Sequence, residues 1–371
     1  MTASRPAHAE TLSLTGLRGI AALFVLVAHY ATWCAPYDLT TAPKWLWHSL
    51  DNAHFGMSLF FTLSGFVIAY NYLAMDWGNR ATASAGRFAW LRFSRLHPVL
   101  LVYLALIYAR PSDYGDQSPT ALSLLLVSVE SLYPFKINGH WLTDPLCWSI
   151  STELALYAIF ACGLIAFRKA KRRFGKPVSW IAAGVAILYL ATIAWLLWHP
   201  QEIDPVVAAF PSAFDAVPAS EGGYWFLYWS PYARLYDFAF GCMAAVAVIK
   251  GVRLPPWLAW AGPLGFGALW LAWVSGVNDL NPMFFQPLSP PVFAVIMAAS
   301  PRSRPFRALS APRCYFLVKS PTRCICFIRS PPILPTMLVA RSFPGRVSPS
   351  SAAPSRLISS SRSRSRPGFT A

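Results

Sequence analysis

The sequence predicts an all-α fold, a polytopic transmembrane helix bundle of about eight spans followed by a basic tail. Three observations carry that prediction. Apolar runs of membrane-spanning length recur through the first 300 residues. Only 12% of the 371 residues are charged while 56% are hydrophobic, and the mean hydropathy is +0.43; a soluble domain carries roughly 25% charged residues. Aromatic residues crowd the ends of the runs, as interfacial belts do.

The runs follow one another at about 14–33, 55–73, 96–109, 148–167, 179–198, 232–249, 256–275 and 283–300, the third being shorter than the rest. The first contains "GLRGIAALFVLVAHY", in which Arg18 and His29 enclose ten residues that are all apolar or glycine. On an α-helix their separation of eleven residues is about three full turns, so both side chains emerge on nearly the same face about 16 Å apart. This run reads as a retained span rather than a cleaved signal, because no small-residue cleavage site follows it and Arg5 is the only basic flank. In the second, "FFTLSGFVIAY" places the small pair Ser64 and Gly65 where close helix approach is needed, and packing is the preferred role for Ser64.

Ahead of the short third run, "RFSRLHPVL" sets Arg92, Arg95 and His97 at the entry to a span. Two guanidiniums three residues apart on one helical face serve equally as a topogenic charge cluster or as a fork for phosphate groups. The fourth run opens with "LCWSISTELALYAIF", which buries Glu153 among apolar residues with Tyr157 one turn later. A carboxylate inside a membrane is costly, which makes Glu153 a functional candidate beside the rival role of a helix–helix hydrogen bond. "SPYARLYDFAFG" places Arg234 and Asp237 at i, i+3, a local ion pair at the membrane boundary whose expected role is structural.

Charge placement orients the chain. With the N-terminus in the cytoplasm, the Arg80/Arg87/Arg92/Arg95 linker lies inside, as the positive-inside rule favours. A further apolar piece, 120–134, is short and contains Glu130. If it crossed, the most basic stretch of the body, "RKAKRRFGK" at 168–176, would fall outside, so 120–134 is expected to be re-entrant or interfacial. The chain is then a multi-pass protein of the cell membrane. The net charge of +16 suggests nucleic acid only until it is located: residues 301–371 hold thirteen Arg and Lys and no acid, leaving 18 basic against 15 acidic residues in the first 300. No nucleic-acid partner is expected. The seven cysteines show no metal-like spacing in the body, so no metal site is expected either, and Cys34, Cys147, Cys162 and Cys242 read as small apolar packing residues.

At these residues the chain resembles the acyltransferase 3 family of multi-spanning membrane acyltransferases, which O-acylate glycans and other extracytoplasmic acceptors. The family pattern of a basic residue, ten residues and a histidine is matched by Arg18 and His29. Its "FFxLSGF" segment is matched at Phe60–Phe66, its Arg-x-x-Arg pair by Arg92 and Arg95, and its "WSLSxExxFY" segment by Trp148, Ser149, Ser151, Glu153 and Tyr157, with Leu156 where an aromatic is usual. Its "RxxEFxxG" element is matched by Arg234, Asp237, Phe238 and Gly241. Five loose motifs in the right order over residues 14–300 make a specific match.

The resemblance implies a cytoplasmic acyl-CoA donor, commonly acetyl-CoA, and a glycan or similar acceptor whose hydroxyl is reached within or across the bilayer. Under that reading His29 and Glu153 are the catalytic candidates, and Arg18, Arg92 and Arg95 hold the donor phosphates. A neutral histidine suits proton abstraction from a hydroxyl near pH 7, and Glu153 would orient His29 or the acceptor hydroxyl. A multi-pass transporter or flippase of glycan or lipid intermediates is the alternative class, although the paired, broken segments such proteins show are not seen. An inactive truncated acyltransferase is another.

That last alternative arises from the tail. Residues 1–300 read as the membrane-embedded domain and 301–371 as a Ser/Arg/Pro-rich low-complexity segment. The family continues past this point into a terminal span with a "FLGxxSYxLYLxH"-like motif, where this chain has "RCYFLVKSPTRCICFI" (313–328). Joining the third base of each codon to the first two of the next, Cys-Tyr must give Leu, Tyr-Phe gives Phe or Leu, and Cys-Ile gives His or Tyr. The shifted frame can spell "VLFLGEISYALYLLH", which is the missing motif, and implies a frameshift near residues 311–313.

Overall fold

The computed structural model describes residues 8–31, 43–74, 85–108, 129–132, 136–137, 140–141, 147–175, 177–199, 202, 225–252, 255, 257–275 and 285–299. Within them the chain is helical apart from a two-residue antiparallel pairing, Lys136–Ile137 against His140–Trp141. The helices are α1 (His8–His29), α2 (Lys44–Leu50), α3 (Ala53–Ala74), α4 (Ala85–Tyr108), α5 (Trp148–Phe174), α6 (Pro177–Trp198), α7 (Pro231–Ile249), α8 (Leu258–Val274) and α9 (Ser289–Ala299). Each of the eight predicted apolar runs is a helix. Four segments, 44–72, 148–174, 179–196 and 225–249, are long and apolar enough to cross a membrane, and the apolar helices at 14–29, 258–274 and 289–299 are shorter. Of the piece 120–134 only a single tight turn, Glu130–Leu132, and the residue before it are described. The tail after Ala299 lies outside the described residues, as does the inferred frame junction.

Local chemistry accounts for several boundaries. Pro177 and Pro231 open α6 and α7, at the position where the missing N–H costs nothing and the fixed φ suits a helix. Gly175 and Gly251 follow α5 and α7 with φ of +73° and +69°, left-handed conformations that a side chain would oppose. The helix α4 begins eleven residues before the run predicted at 96–109: Ala85–Leu91 contains no proline, and Ala85, Arg87, Ala89 and Leu91 are good helix formers that outweigh Gly86 near the helix start.

The helix α3 is the axis of the molecule. Phe55, Leu59, Leu63, Phe66 and Ala69 bury one face against α1, α7, α8 and α9, while Met57, Phe61 and Ile68 bury another against Leu156 and Tyr157 of α5 and Phe238 of α7. Its crossing with α7 is made by two glycines in reciprocal positions. A Cβ on Gly65 would collide with the carbonyl oxygen of Phe238, and one on Gly241 with that of Thr62. Gly56 plays the same part toward α1, where a Cβ would stand 2.8 Å from both the Ala21 carbonyl oxygen and Val25 Cγ2. Backbones thus approach as closely as small residues permit, the means by which helices associate where lipid gives no hydrophobic drive.

The outer helices differ. In α6, Trp180, Ile181, Val185, Ile187 and Leu188 are all exposed, which in water would be a large apolar patch. A helix apolar on every side suits contact with hydrocarbon.

Helix directions follow from these contacts. Phe24 and Phe55 both meet the ring of Phe266, and Ala21 and Val25 meet Gly56, while Arg18 lies toward Ser64; α1 and α3 are therefore antiparallel. Phe88 packs on Tyr72, Tyr157 and Phe160, and Arg92 on Tyr157, so α4 starts where α3 ends and runs antiparallel to α5. The connection from α4 to α5 thus begins and ends at one end of the bundle, the arrangement the charge pattern requires.

Candidate active site

Two polar groups lie at different depths in the bundle. The first is built from α1, α3, α4 and α5. Glu153, in the second turn of α5, accepts hydrogen bonds at Oε1 from Ser64 Oγ of α3, at 3.0 Å, and from Tyr157 Oη one turn along its own helix. The half-buried guanidinium of Arg18 is in electrostatic contact with Arg95, Tyr157, Glu153 and Arg92. Arg92 lies over the rings of Phe88 and Tyr157, 5.6 and 5.4 Å from their centroids, within the range of cation–π attraction. Its Nε is buried and has no hydrogen-bond partner among the described residues. Arg18 therefore has two further guanidiniums and one carboxylate within electrostatic reach, Arg95 being itself exposed. That surplus of positive charge is unfavourable by itself and becomes favourable when an anion joins it.

His29 is not part of this group. Its Nδ1 lies 2.6 Å from the Val25 carbonyl oxygen, one turn back on α1. A carbonyl can only accept, so Nδ1 carries the proton, and in the neutral ring the lone pair falls on Nε2. Gly56 faces Ala21 and Val25, Ser64 lies eight residues further along α3, and His29 lies four residues beyond Val25 in the opposite direction. At 1.5 Å of rise per residue, His29 and the Ser64–Glu153 pair are about 18 Å apart along the bundle. The structure thus brings together Arg18, Arg92, Arg95 and Glu153 of the five predicted site residues and sets His29 apart. In this arrangement Glu153 cannot orient His29, and its hydrogen-bonding partners are Ser64 and Tyr157.

Ser64 was expected to serve packing. Gly65 does that work, and Ser64 turns its hydroxyl to Glu153. The sequence signal was present in the polarity of a serine inside an apolar run, but a serine there is equally a small packing residue.

The second polar group lies beside Ser58, about 9 Å along α3 from Ser64. Arg234 and Asp237 of α7 form an ion pair at 2.9 Å, and both side chains are essentially inaccessible. The pair expected at the membrane boundary is buried inside the bundle. Arg234 Nε also donates to the Tyr228 carbonyl at 2.7 Å, and its guanidinium lies over the rings of Phe61, Trp148 and Tyr228. Ser58 Oγ stands 3.4 Å from Nη1. Two residues that no motif marked are buried nearby: His54, packed among Phe55, Trp273 and Phe285, and Gln286, whose Nε2 donates to the Leu227 carbonyl at 2.7 Å.

Comparison with known proteins assigns this architecture. Residues 11–311 match the acyltransferase domain of the acyltransferase 3 family. The chain is 30% identical over 283 residues to the acyltransferase MdmB of Streptomyces mycarofaciens, a match covering 74% of this chain and 65% of that protein. It is 28% identical over 165 residues to protein 2 in the picA locus of Rhizobium radiobacter, covering 40% of this chain and 79% of that one. The chain thus spans a little under two thirds of the length of the first of these relatives. No solved structure matches it. With the family match extending over the whole helical bundle and both polar groups, the chain belongs to the acyltransferase 3 family.

Proposed function

We propose that the protein is an integral-membrane acyltransferase that moves an acyl group, acetyl in the simplest case, from a cytoplasmic acyl-CoA to a hydroxyl of an extracytoplasmic glycan or similar acceptor. The observation that carries this reading is the surplus of guanidinium charge at Arg18, Arg92 and Arg95, about three helical turns below a histidine on the same helix. The arginines bind the donor phosphates through their guanidinium groups. The flexible arm of the donor then runs beside α1 and presents the thioester near His29. Under this reading the arginine end is cytoplasmic, the N-terminus lies inside, and the chain is a multi-pass protein of the cell membrane.

The chemistry follows from the tautomer. Nε2 of neutral His29 takes the proton of the acceptor hydroxyl as its oxygen attacks the thioester carbonyl, and the tetrahedral oxyanion collapses by breaking the carbon–sulfur bond. The imidazolium returns the proton to the departing thiolate, so ester and free thiol form with no net proton change. Glu153, fixed by Ser64 and Tyr157, acts at the donor end. There it tempers the repulsion among the three arginines and keeps their geometry between turnovers.

The reading-frame inference belongs to the same proposal. The family match stops at residue 311, which supports a shift of frame at 311–313. The chain as written would then lack the terminal helix and be impaired. The decisive test uses an intact-frame version in membranes with labelled acetyl-CoA. His29→Ala and Arg18→Ala should each abolish acylation of cell-surface hydroxyls while membrane insertion is unchanged. Full activity of His29→Ala would remove the proposed base.

A further inference from the structure

The most basic stretch of the body, "RKAKRRFGK" at 168–176, takes no part in either polar group. It closes α5 and is followed directly by Pro177, the first residue of α6. Thr152, near the start of α5, donates to the Trp229 carbonyl at 2.6 Å, and Ile193, near the end of α6, clusters with Trp225, Leu227 and Ala233. The far ends of the two helices thus meet at one segment, so α5 and α6 form an antiparallel hairpin with the basic stretch at its tip. Gly175, with its φ of +73°, makes the reversal. Tyr157, which lies beneath Arg92, precedes Arg172 by fifteen residues, so the tip stands about 22 Å along α5 from the Arg92 guanidinium.

The charge at the tip is not neutralised by the protein. Six of its nine residues are Lys or Arg, and no Asp or Glu occurs between Glu153 and Glu202. Lys169, Arg172 and Arg173 are exposed, and no carboxylate pairs with them among the described residues. Spaced at three and four residues, they fall along one side of the helix. Depth is set by the neighbouring helix. The apolar stretch Ser179–Leu196 of α6 has 18 residues, about 27 Å, close to the thickness of a hydrocarbon core. Trp180 is 81% exposed at one end of that stretch, where indole rings anchor at the interface. Arg172 and Trp180 lie equally far on either side of the reversal, so the cations stand level with the headgroups rather than in the hydrocarbon or out in solution. The exposed ring of Phe174, with Arg173 5.4 Å from its centroid, adds a second apolar group among them.

We propose that the tip of the α5–α6 hairpin is a binding surface for anionic phospholipid, with Lys169, Arg172 and Arg173 on the phosphodiester groups and Phe174 and Trp180 against the glycerol and the first methylenes. This does not rest on the acyltransferase reading. A soluble phosphate such as that of an acyl-CoA would meet the cations equally well. An anionic lipid also covers the exposed rings and the apolar side of α6, so it alone matches both kinds of surface at once.

The full chain is purified in detergent and titrated with phosphatidylglycerol or phosphatidylcholine of the same acyl chains, and bound lipid is counted by native mass spectrometry. Each basic residue near an anionic surface contributes roughly five-fold, so phosphatidylglycerol should bind at least about thirty-fold more tightly than phosphatidylcholine. Arg172→Gln alone should cut that preference about five-fold, and Lys169→Gln, Arg172→Gln and Arg173→Gln together should leave about three-fold or less. Lys169→Arg with Arg172→Lys and Arg173→Lys keeps every charge and should keep the preference within about two-fold, which separates loss of charge from loss of fold. Excess acetyl-CoA is then added to the lipid-bound chain, and the lipid should stay. Displacement that depends on the three residues would make the tip a docking place for a soluble phosphate and overturn the proposal. Equal binding of the two lipids would overturn it too, as would loss of the preference in the charge-preserving variant. A triple glutamine variant that binds phosphatidylglycerol as the unsubstituted chain does would reduce the cluster to a solvated topogenic charge.

Discussion

At the scale of single residues, the two ends of the site make opposite kinetic demands. Arg92 is held over two aromatic rings with one nitrogen unpartnered among the described residues, and under the proposed reading its charge serves the acyl donor. In an intact-frame enzyme, Arg92→Ala should raise the KM for acyl-CoA about ten-fold or more and leave kcat nearly unchanged, since a lost hydrogen bond to a charged group costs roughly 1.5–3 kcal/mol. Steady-state kinetics at saturating acceptor would show it, and a fall in kcat alone would place Arg92 nearer the reacting atoms. Glu153 differs because its neighbours hold it. Tyr157→Phe and Ser64→Ala each remove one of its two hydroxyl donors. Either change should weaken donor binding less than Arg92→Ala does, and the double variant should do more than the sum, because the last donor is lost.

At the scale of elements, the crossing of α3 and α7 carries the sharpest expectation. Gly65→Ala and Gly241→Ala would each drive a methyl into a backbone carbonyl, an obstacle that no rotamer change relieves. Each should destabilise the bundle by at least about 1–3 kcal/mol, the usual cost of overpacking. Thermal unfolding in detergent would register this, whereas Gly163→Ala, with nothing near its Cβ position, should be silent. Helix directions give a second expectation: a reporter fused after Lys176 should read cytoplasmic and one near Asp215 periplasmic. Opposite signals would invert the assignment of the arginine end to the donor. Most of this layer was legible in the sequence, because apolar runs of spanning length have few alternatives in lipid. The short helix α2 was missed, since Lys44–Leu50 is too brief and too polar to register as a run. The second polar cluster was missed for a different reason. His54 and Gln286 lie 232 residues apart in the chain, and His54 reaches Phe285, the neighbour of Gln286, only through the fold, so no local spacing relates them. Arg18, Arg92, Arg95 and Glu153 were legible as candidates one motif at a time, but their convergence, and the distance of His29 from them, depended on which way each helix runs.

At the scale of the whole molecule, the proposed frame shift concerns the tail. The fragments "CYFLV", "CICFI" and "PPILPTMLVA" are each too short to span and are interrupted by Arg, Lys or Pro. A bundle short of one helix leaves interior faces open to lipid and polar groups without partners, which is costly in hydrocarbon. Restoring the other frame from codons 311–313 should raise both membrane expression and acyl transfer. The nucleotide sequence across codons 305–330 tests the frame directly, and side-by-side expression of the two forms tests its consequence. Equal activity of both would make the basic tail a natural part of a working enzyme.

The reciprocal glycines at the α3–α7 crossing also constrain how the molecule can move. With Gly65 seated on one backbone and Gly241 on the other, the two helices are keyed together, and neither slides nor rolls without a carbonyl striking an α-carbon. They behave as a single strut. α3 carries Ser64 and His54 at different depths, and α7 carries Arg234 and Asp237. One rigid member therefore fixes the spacing between both polar groups. A protein that worked by rocking two halves about a central substrate would need its hinge plane to pass through this strut, where the packing forbids it. The two polar groups therefore keep their separation in a stationary frame.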